Sequence, residues 1–261
     1  MNSSRCSKLA LAVVVLLATT VGGALAVSAS GDVPQSAAVG EKQETQFTFS
    51  NPFSGQYNEW TLQGETALTA VTWVVTTYDN TGAQVDTRVL NGQSFEYALD
   101  ASEGVTRVTV DLTGTTPQVA QWSYEPAQSF TYATFTQTQP GGSATVIQSW
   151  DDVRPYTEAS QNARTEIEQS ERAVQSAAKS GANVAEARDL LANAKHAYNA
   201  GEFTLASDLA NRAESKANAA SSSQRTQRWA LIGGAVVLIL VVLGGIGWWY
   251  WNQRDTYDRL G

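Results

Sequence analysis

His196 is the one side chain of this 261-residue sequence that is suited to exchanging a proton near neutral pH. On a helix it shares a face with Asp189 and Asn193, and Glu186 lies one turn further back. Such a set could hold a metal ion weakly, but an exposed helix with one histidine and ordinary charges gives the same pattern. We therefore predict no catalytic residue, no metal and no other cofactor for this chain.

A second candidate is the pair Asp151-Asp152, which precedes a change in sequence periodicity. Adjacent carboxylates could contribute to a calcium site, but a solvated linker has the same composition. We interpret the pair as a linker. The sequence also has no nucleophile elbow, Gly-rich phosphate loop or His-Glu-x-x-His motif, which weakens the case for an enzyme.

Three aromatic residues, Phe53, Tyr57 and Trp60, form a third candidate within a predicted loop between Pro52 and Gly64. Aromatic rings with amides and acids nearby suit stacking on a sugar or packing at a protein interface. The alternative is a loop that folds over an open end of the core. We predict these three as ligand-binding residues, with an extracellular protein or a glycan as the partner.

The charge balance excludes several classes of function. The chain has 25 acidic and 17 basic residues, a net charge of −8, whereas nucleic-acid binders need a basic stripe. One cysteine excludes an internal disulfide and Cys-rich metal sites. Residues 27–153 hold 14 acids and 3 bases, whereas residues 154–221 are nearly neutral. We therefore predict an acidic, outward-facing head and no nucleic-acid partner.

Residues 43–150 are predicted to form a β-sandwich domain that follows a flexible segment at 27–42. About seven runs alternate between apolar and polar residues, with turn residues such as Asn91-Gly92 between them. The pattern resembles an immunoglobulin- or fibronectin-type domain, which implies a core tryptophan, here Trp73. The predicted strands are 46–49, 71–76, 85–90, 95–99, 105–112, 119–124 and 130–136.

Residues 155–221 change to helical periodicity and predict an Ala-rich hairpin or three-helix bundle. Apolar residues recur every three or four positions, with breaks at Gly181 and Gly201. The second and third helices resemble one tetratricopeptide-type unit, carried by Ala194, Gly201-Glu202-Phe203, Ala206 and Ala213. Because solenoids need about three units, a helical spacer is the alternative to a peptide-binding groove.

Both ends of the chain predict membrane targeting. Arg5 and Lys8 precede an apolar run, and Ala24-Leu25-Ala26 offers a cleavage site, so residues 1–26 are interpreted as a signal peptide. An uncleaved anchor is the alternative. Residues 229–251 are uncharged and end in aromatic residues, as in a transmembrane helix, which leaves 252–261 as a cytoplasmic tail.

The predicted fold class is therefore multidomain, all-β plus all-α: a β-sandwich head, an Ala-rich helical hairpin or three-helix bundle, and a single C-terminal transmembrane helix. The predicted function is that of a non-enzymatic, single-pass cell-surface protein whose head binds a partner or another envelope component. The alternative is an accessory subunit of a membrane complex, forming a homo- or hetero-oligomer through its helices. The five Lys beside twelve Arg, with the acidic excess, resemble haloarchaeal secreted proteins.

Overall fold

The computed structural model describes residues 27–55 and 57–222. This part of the chain contains eleven strands, two α-helices with defined ends, and a third helix over residues 203–222, here called α3. The strands are β1 (Ser28–Gly31), β2 (Ser36–Ala38), β3 (Lys42–Ser50), β4 (Glu59–Glu65), β5 (Thr69–Tyr78), β6 (Gln84–Asn91), β7 (Ser94–Asp100), β8 (Arg107–Thr115), β9 (Ala133–Thr138), β10 (Ala144–Trp150) and β11 (Arg154–Tyr156). The helices with defined ends are α1 (Glu158–Lys179) and α2 (Ala185–Asn199).

Two antiparallel sheets enclose one apolar core. The five-stranded sheet has the order β1-β3-β8-β5-β6, and the four-stranded sheet has the order β10-β9-β4-β7. We call these nine strands the two-sheet region. Alternate residues point inward, so that Phe47, Phe49, Leu62 and Phe135 are fully buried. Trp73 is fully buried as predicted, and its indole nitrogen donates to the carbonyl oxygen of Gly92 at 2.9 Å.

A third sheet is parallel and joins segments that are distant in the sequence. β2 pairs with β11 in the register Ser36 to Arg154 through Ala38 to Tyr156. Backbone hydrogen bonds continue at both ends of the pair, from Arg154 to Gln35 and from Val39 to Tyr156. The segment 27–42, which the sequence predicts to be flexible, therefore carries two strands, β1 and β2.

The three helices lie where the apolar spacing predicts them. α1 begins after Thr157, whose hydroxyl accepts the backbone N–H of Ser160 while the Ser160 hydroxyl accepts that of Thr157. The helical region is predicted to begin at residue 155, but Pro155 lies in β11 and α1 begins three residues later, at Glu158. Helix packing relies on small residues that allow close approach of the backbones. Those fully buried are Ala163, Ala194, Ala206, Ala210, Ala213 and Ala217.

The predicted fold class is wrong. The structure combines antiparallel and parallel sheets with three helices, and direct contacts join the sheets to the helices. The reason lies in long-range packing, because β2 closes on β11 and Tyr124, between β8 and β9, lies in the helix core. Across residues 27–55 and 57–222, no helix has both the length and the apolar character that a membrane crossing requires. The predicted signal peptide (1–26), transmembrane helix (229–251) and tail (252–261) lie outside the described residues.

Candidate functional site

The predicted aromatic site does not form one exposed surface. Trp60 belongs to β4, is 2% exposed, and donates its indole N–H to the carbonyl oxygen of Pro52 at 3.0 Å. Phe53 is half-buried against the same core, and only Tyr57 is exposed, at 37%. The predicted loop thus ends at Glu59, and Trp60 offers no free ring face for stacking. The ligand-binding role of this segment stays a prediction, and Tyr57 alone has the exposure that it needs.

The side chains of the His196 set and of the Asp151-Asp152 pair, the two other candidate sites, are exposed to solvent. His196, Asp189 and Asn193 are all exposed on α2. Asp151 and Asp152 are exposed beside Trp150 and contribute to a cavity of about 500 Å³. Over the described ranges there is no group of three or more His, Cys, Asp or Glu side chains arranged to hold a metal ion.

The loop that connects β8 to β9, residues 116–132, forms the junction between sheets and helices. Its Trp122 ring lies 4.9 Å from that of Phe203 and 6.3 Å from that of Tyr198, both edge-on. Tyr124 makes a further edge contact with Tyr198 at 5.6 Å. Residues 119–124 are therefore not the strand that the sequence predicts, because their aromatic side chains pack on the helices. We call residues 116–132 the junction loop.

A set of charged groups surrounds Tyr124. Its hydroxyl donates to Glu171 at 3.1 Å, and Lys195 bonds the other oxygen of Glu171 at 2.6 Å. The guanidinium of Arg164 and the ammonium of Lys195 lie 4.6 Å and 5.0 Å from the Tyr124 ring centre. Arg164 also pairs with Glu168 at 3.1 Å. Glu168 and Glu171 are therefore each already paired with a cation.

These contacts set the pKa values of the junction. Burial, followed by the charge and hydrogen bond of Glu171, raises the pKa of the Tyr124 hydroxyl above its usual range. Burial alone would lower the pKa of Lys195, but the hydrogen bond and charge of Glu171, with those of Glu125, outweigh it and raise the pKa. Tyr124 is thus kept neutral and Lys195 charged well into the alkaline range, which holds the junction together electrostatically.

A groove of about 820 Å³ lies between α1 and α2, next to this charged set. Its apolar floor is formed by Val174, Ala178 and Leu191. Its acidic end shares Glu168 and Glu171 with a smaller cavity of about 350 Å³ under Tyr124. We call this cleft the helical groove. The remaining lining residues are Arg172, Gln175, Lys179 and Arg188.

Three cations of the helical groove have no acidic partner. Arg172, Lys179 and Arg188 form no ion pair with any residue in the described ranges, whereas Glu168 and Glu171 are both paired. Arg172 and Lys179 lie two turns apart on α1, a rise of about 10.5 Å, and Arg188 faces them from α2. The groove therefore presents free positive charge over an apolar surface in an acidic protein, which suits it to bind an anionic, amphipathic segment.

Sequence reasoning finds the helices that form the helical groove but not the groove itself. Arg172 and Lys179 stand out only as i and i+7 on one face of α1, a spacing that a solvated helix also shows. The cluster of positive charge depends on Arg188, which comes from another helix. It also depends on Lys195, which pairs with Glu171 and so keeps that carboxylate from neutralising the groove cations. Neither fact is visible in local spacing.

Comparisons with known proteins do not identify the chain. No family model and no curated protein matches it. Solved structures that resemble it include the Pseudomonas fluorescens alkylpurine DNA glycosylase AlkC bound to DNA containing an abasic site analogue, with 10% identity and a TM-score of 0.20. That match covers 49% of this chain, which spans only 29% of the glycosylase.

Two further structures are similarly distant. AvmM, which catalyses macrocyclization in alchivemycin A biosynthesis, is 9% identical with a TM-score of 0.24, covering 50% of this chain and 82% of its own. The structure titled pT26-6p is 12% identical with a TM-score of 0.21, covering 76% of this chain and 48% of its own. Likenesses at these TM-scores carry no argument about activity or DNA binding.

Proposed function

We propose that the protein is a non-enzymatic, single-pass protein of the cell membrane that docks an acidic segment of a partner protein in the helical groove. The observation that carries this proposal is the set of three unpaired cations, Arg172, Lys179 and Arg188, around an apolar floor. They give the groove free positive charge in a chain whose net charge is −8. The helices are then the docking surface, and the acidic two-sheet region is displayed beside them.

The chemistry of the groove supports an acidic amphipathic occupant. A guanidinium binds a carboxylate through two parallel hydrogen bonds, which Arg172 and Arg188 could each supply. The apolar side of the same segment would cover the half-buried Ala178 and Leu191 and remove them further from water. A basic segment would face three like charges and is disfavoured.

The location at the membrane is supported by the sequence. Residues 229–251 form an uncharged stretch of 23 residues, enough to span a bilayer with a small tilt. With a signal peptide at 1–26, whether cleaved or retained as an anchor, residues 27–228 lie outside the cell. The acidic surface of residues 27–153 fits an exposed, solvated position.

The docking proposal is tested by photo-crosslinking the full chain in its native membrane. A crosslinking amino acid replaces Gln175, which lines the helical groove, and the matched control replaces Gln169, an exposed glutamine on the same helix that bonds Glu214. We expect a single protein to be captured from position 175 through an acidic segment, at least tenfold more than from position 169.

Charge reversal separates docking from chance proximity. The double variant Arg172→Glu with Arg188→Glu should abolish the crosslink from position 175, whereas Arg212→Glu, an exposed site outside the groove, should leave it intact. A synthetic peptide of the captured segment should bind the parent chain and not the double variant. Equal capture from both glutamines, or a crosslink that survives charge reversal, contradicts the proposal.

Exposure to protease tests the location. Treating intact cells should release fragments of the two-sheet region while the apolar C-terminal stretch stays with the membrane. A two-sheet region that is protected in intact cells and cleaved only after lysis would place it inside and would refute the orientation.

A further inference from the structure

Strand β6 leaves one edge of the five-stranded sheet open. It is the terminal strand and pairs only with β5 among the described residues. Most of its side chains are exposed, including Val85 at 42% and Val89 at 61%, two of the five large apolar residues exposed in the described part of the chain. An open edge with unpaired backbone groups and exposed apolar residues is a template for pairing with another strand.

The charges of β6 are held at this edge in a fixed arrangement. Asp86 and Arg88 lie on the same face of the strand, with Nε of Arg88 3.0 Å from the carboxylate of Asp86. The hydroxyl of Tyr97 donates to the same carboxylate at 2.8 Å, and the Arg88 guanidinium lies 5.3 Å from the Tyr97 ring centre. Both charges are therefore positioned before any partner arrives.

The order of residues in β6 is complementary to itself. When two copies pair antiparallel about Thr87, Asp86 of each copy lies opposite Arg88 of the other. Opposite charges across two strands stabilise the pair, and here four charges alternate in sign around the two-fold axis. The same register brings Val89 toward the bulged end of the other copy's β6, near Val85.

The two neighbouring registers, in which the two-fold axis moves by one residue along β6, are disfavoured. Moving the axis to Asp86 sets the two Asp86 carboxylates opposite each other, and moving it to Arg88 does the same to the two guanidinium groups. Moving the axis by half a residue would set inward-facing residues opposite outward-facing ones, which antiparallel pairing does not allow. The β-bulge at Val85 lies outside the regular pairing of β5 with residues 86–91, so the proposed centre falls in the regular part of the strand.

We propose that β6 pairs antiparallel with β6 of a second copy across a two-fold axis at Thr87, which joins two five-stranded sheets into one continuous sheet. The contact is isologous, because each copy contributes the same strand, and it closes at two copies. It does not depend on the helical groove or its partner.

The test measures the association of the full chain in mild detergent at 0.5 M salt, where repulsion between the acidic two-sheet regions is screened. We expect the parent chain to be a dimer by light scattering. Asp86→Arg alone and Arg88→Asp alone should each weaken association at least tenfold, because each sets like charges opposite each other. The double variant carrying both exchanges should dimerise again.

Two controls keep the outcome clear. Tyr97→Phe removes the hydrogen bond that Asp86→Arg also loses, and it should leave the dimer intact. In a Cys6→Ser background, Thr87→Cys should form an intermolecular disulfide, whereas Thr145→Cys, exposed on β10, should not. A monomeric parent chain, single exchanges that dimerise like the parent, or equal crosslinking at both cysteines overturns the proposal. Association through the helices or the apolar C-terminal stretch would show as dimers indifferent to every β6 variant.

Discussion

The indole ring of Trp122 meets the phenyl ring of Phe203 edge-on, with centroids 4.9 Å apart and ring planes at 88°. Trp122 comes from the junction loop, and Phe203 is the first residue of α3. Tyr198 joins the same cluster from α2, at 5.3 Å from Phe203. The sheets and the helices are therefore coupled by partly buried aromatic contacts and not only by a covalent linker.

Trp122→Ala should uncouple the helices from the sheets. The variant removes two edge-on ring contacts and leaves a cavity beside Tyr198, so we expect a loss of about 2–3 kcal/mol in the free energy of unfolding. Hydrogen exchange should accelerate in α2 and α3 and stay unchanged in β5 and β8. Tyr57→Ala, an exposed aromatic outside the junction, is the control and should alter neither. Uniform acceleration across the whole chain would argue against a local coupling.

Glu171→Gln tests the electrostatics around Tyr124. The variant removes the anion that holds Lys195 and accepts from Tyr124. We expect a loss of about 1 kcal/mol at neutral pH, because the Lys195 and Glu171 side chains are 30% and 35% exposed. The folded-state pKa values of Lys195 and Tyr124 are both raised, so this stabilisation is complete below their unfolded values. It is lost as the pH rises through the folded values. Denaturant unfolding at pH 7 and above pH ~11 should show the difference from the parent shrinking at the higher pH.

The matched control for this experiment is Glu214→Gln, which removes a carboxylate charge but keeps an oxygen that can accept the exposed hydrogen bond from Gln169. Its unfolding free energy should stay within about 0.5 kcal/mol of the parent at both pH values. If the difference in the free energy of unfolding between Glu171→Gln and the parent grew with pH, the interpretation would be contradicted.

Trp60 and Tyr57 should behave in opposite ways. Trp60→Ala deletes a core side chain and should cost about 3–5 kcal/mol, whereas Tyr57→Ala should cost less than about 0.5 kcal/mol. Thermal unfolding of the two variants checks this. Only Tyr57→Ala can then report on ligand binding by this segment, because a loss in Trp60→Ala would reflect unfolding. Equal stability of the two variants would place Trp60 outside the core.

Gly64→Ala should destabilise the two-sheet region through one methyl group. An added Cβ would lie 2.2 Å from a ring carbon of Phe95, which itself packs 4.9 Å from Trp73. We expect a cost of about 1–3 kcal/mol from the forced shift of the ring, measured by denaturant unfolding. Gln63→Ala, the neighbouring half-buried position on β4, provides the comparison and should cost less. Wild-type stability of Gly64→Ala would mean that the Phe95 ring moves freely.

The helices could be predicted from sequence because their signal is local. Ala163, Ile167, Ser170, Val174 and Ala177 recur at helical spacing, and all five are buried in α1. Residue periodicity reports which face of an element is covered, and here the covering helices follow directly in the chain.

The elements that were missed depend on distant contacts. Residues 119–124 alternate like a strand, yet Trp122 and Tyr124 pack on helices that come much later in the chain. The alternation of Trp60, Leu62 and Gly64 indicates strand β4, but the density of aromatic residues before it favours a loop. The three-residue pair of β2 with β11 is too short to leave any periodic signal.

For the candidate site, too, local features can be predicted from the sequence whereas features that depend on distant contacts cannot. The sequence indicates that the helices could offer a binding surface, through the resemblance of α2 and α3 to a tetratricopeptide-type unit. The helical groove instead lies between α1 and α2, and its free positive charge follows from which acids Lys195 and Arg164 already occupy. Such pairing can be decided only when the helices are placed side by side.

The parallel pairing of β2 with β11 also determines how the molecule responds to mechanical force. β11 passes directly through Thr157 into α1, so tension on the helices is transmitted to β11. Where that tension acts along the strand, the Ser36–Arg154, Ala37–Pro155 and Ala38–Tyr156 positions are loaded together and must slide past each other at once. A protein pulled through its helices would therefore meet shear resistance at this short sheet before the nine strands of the two-sheet region are disturbed.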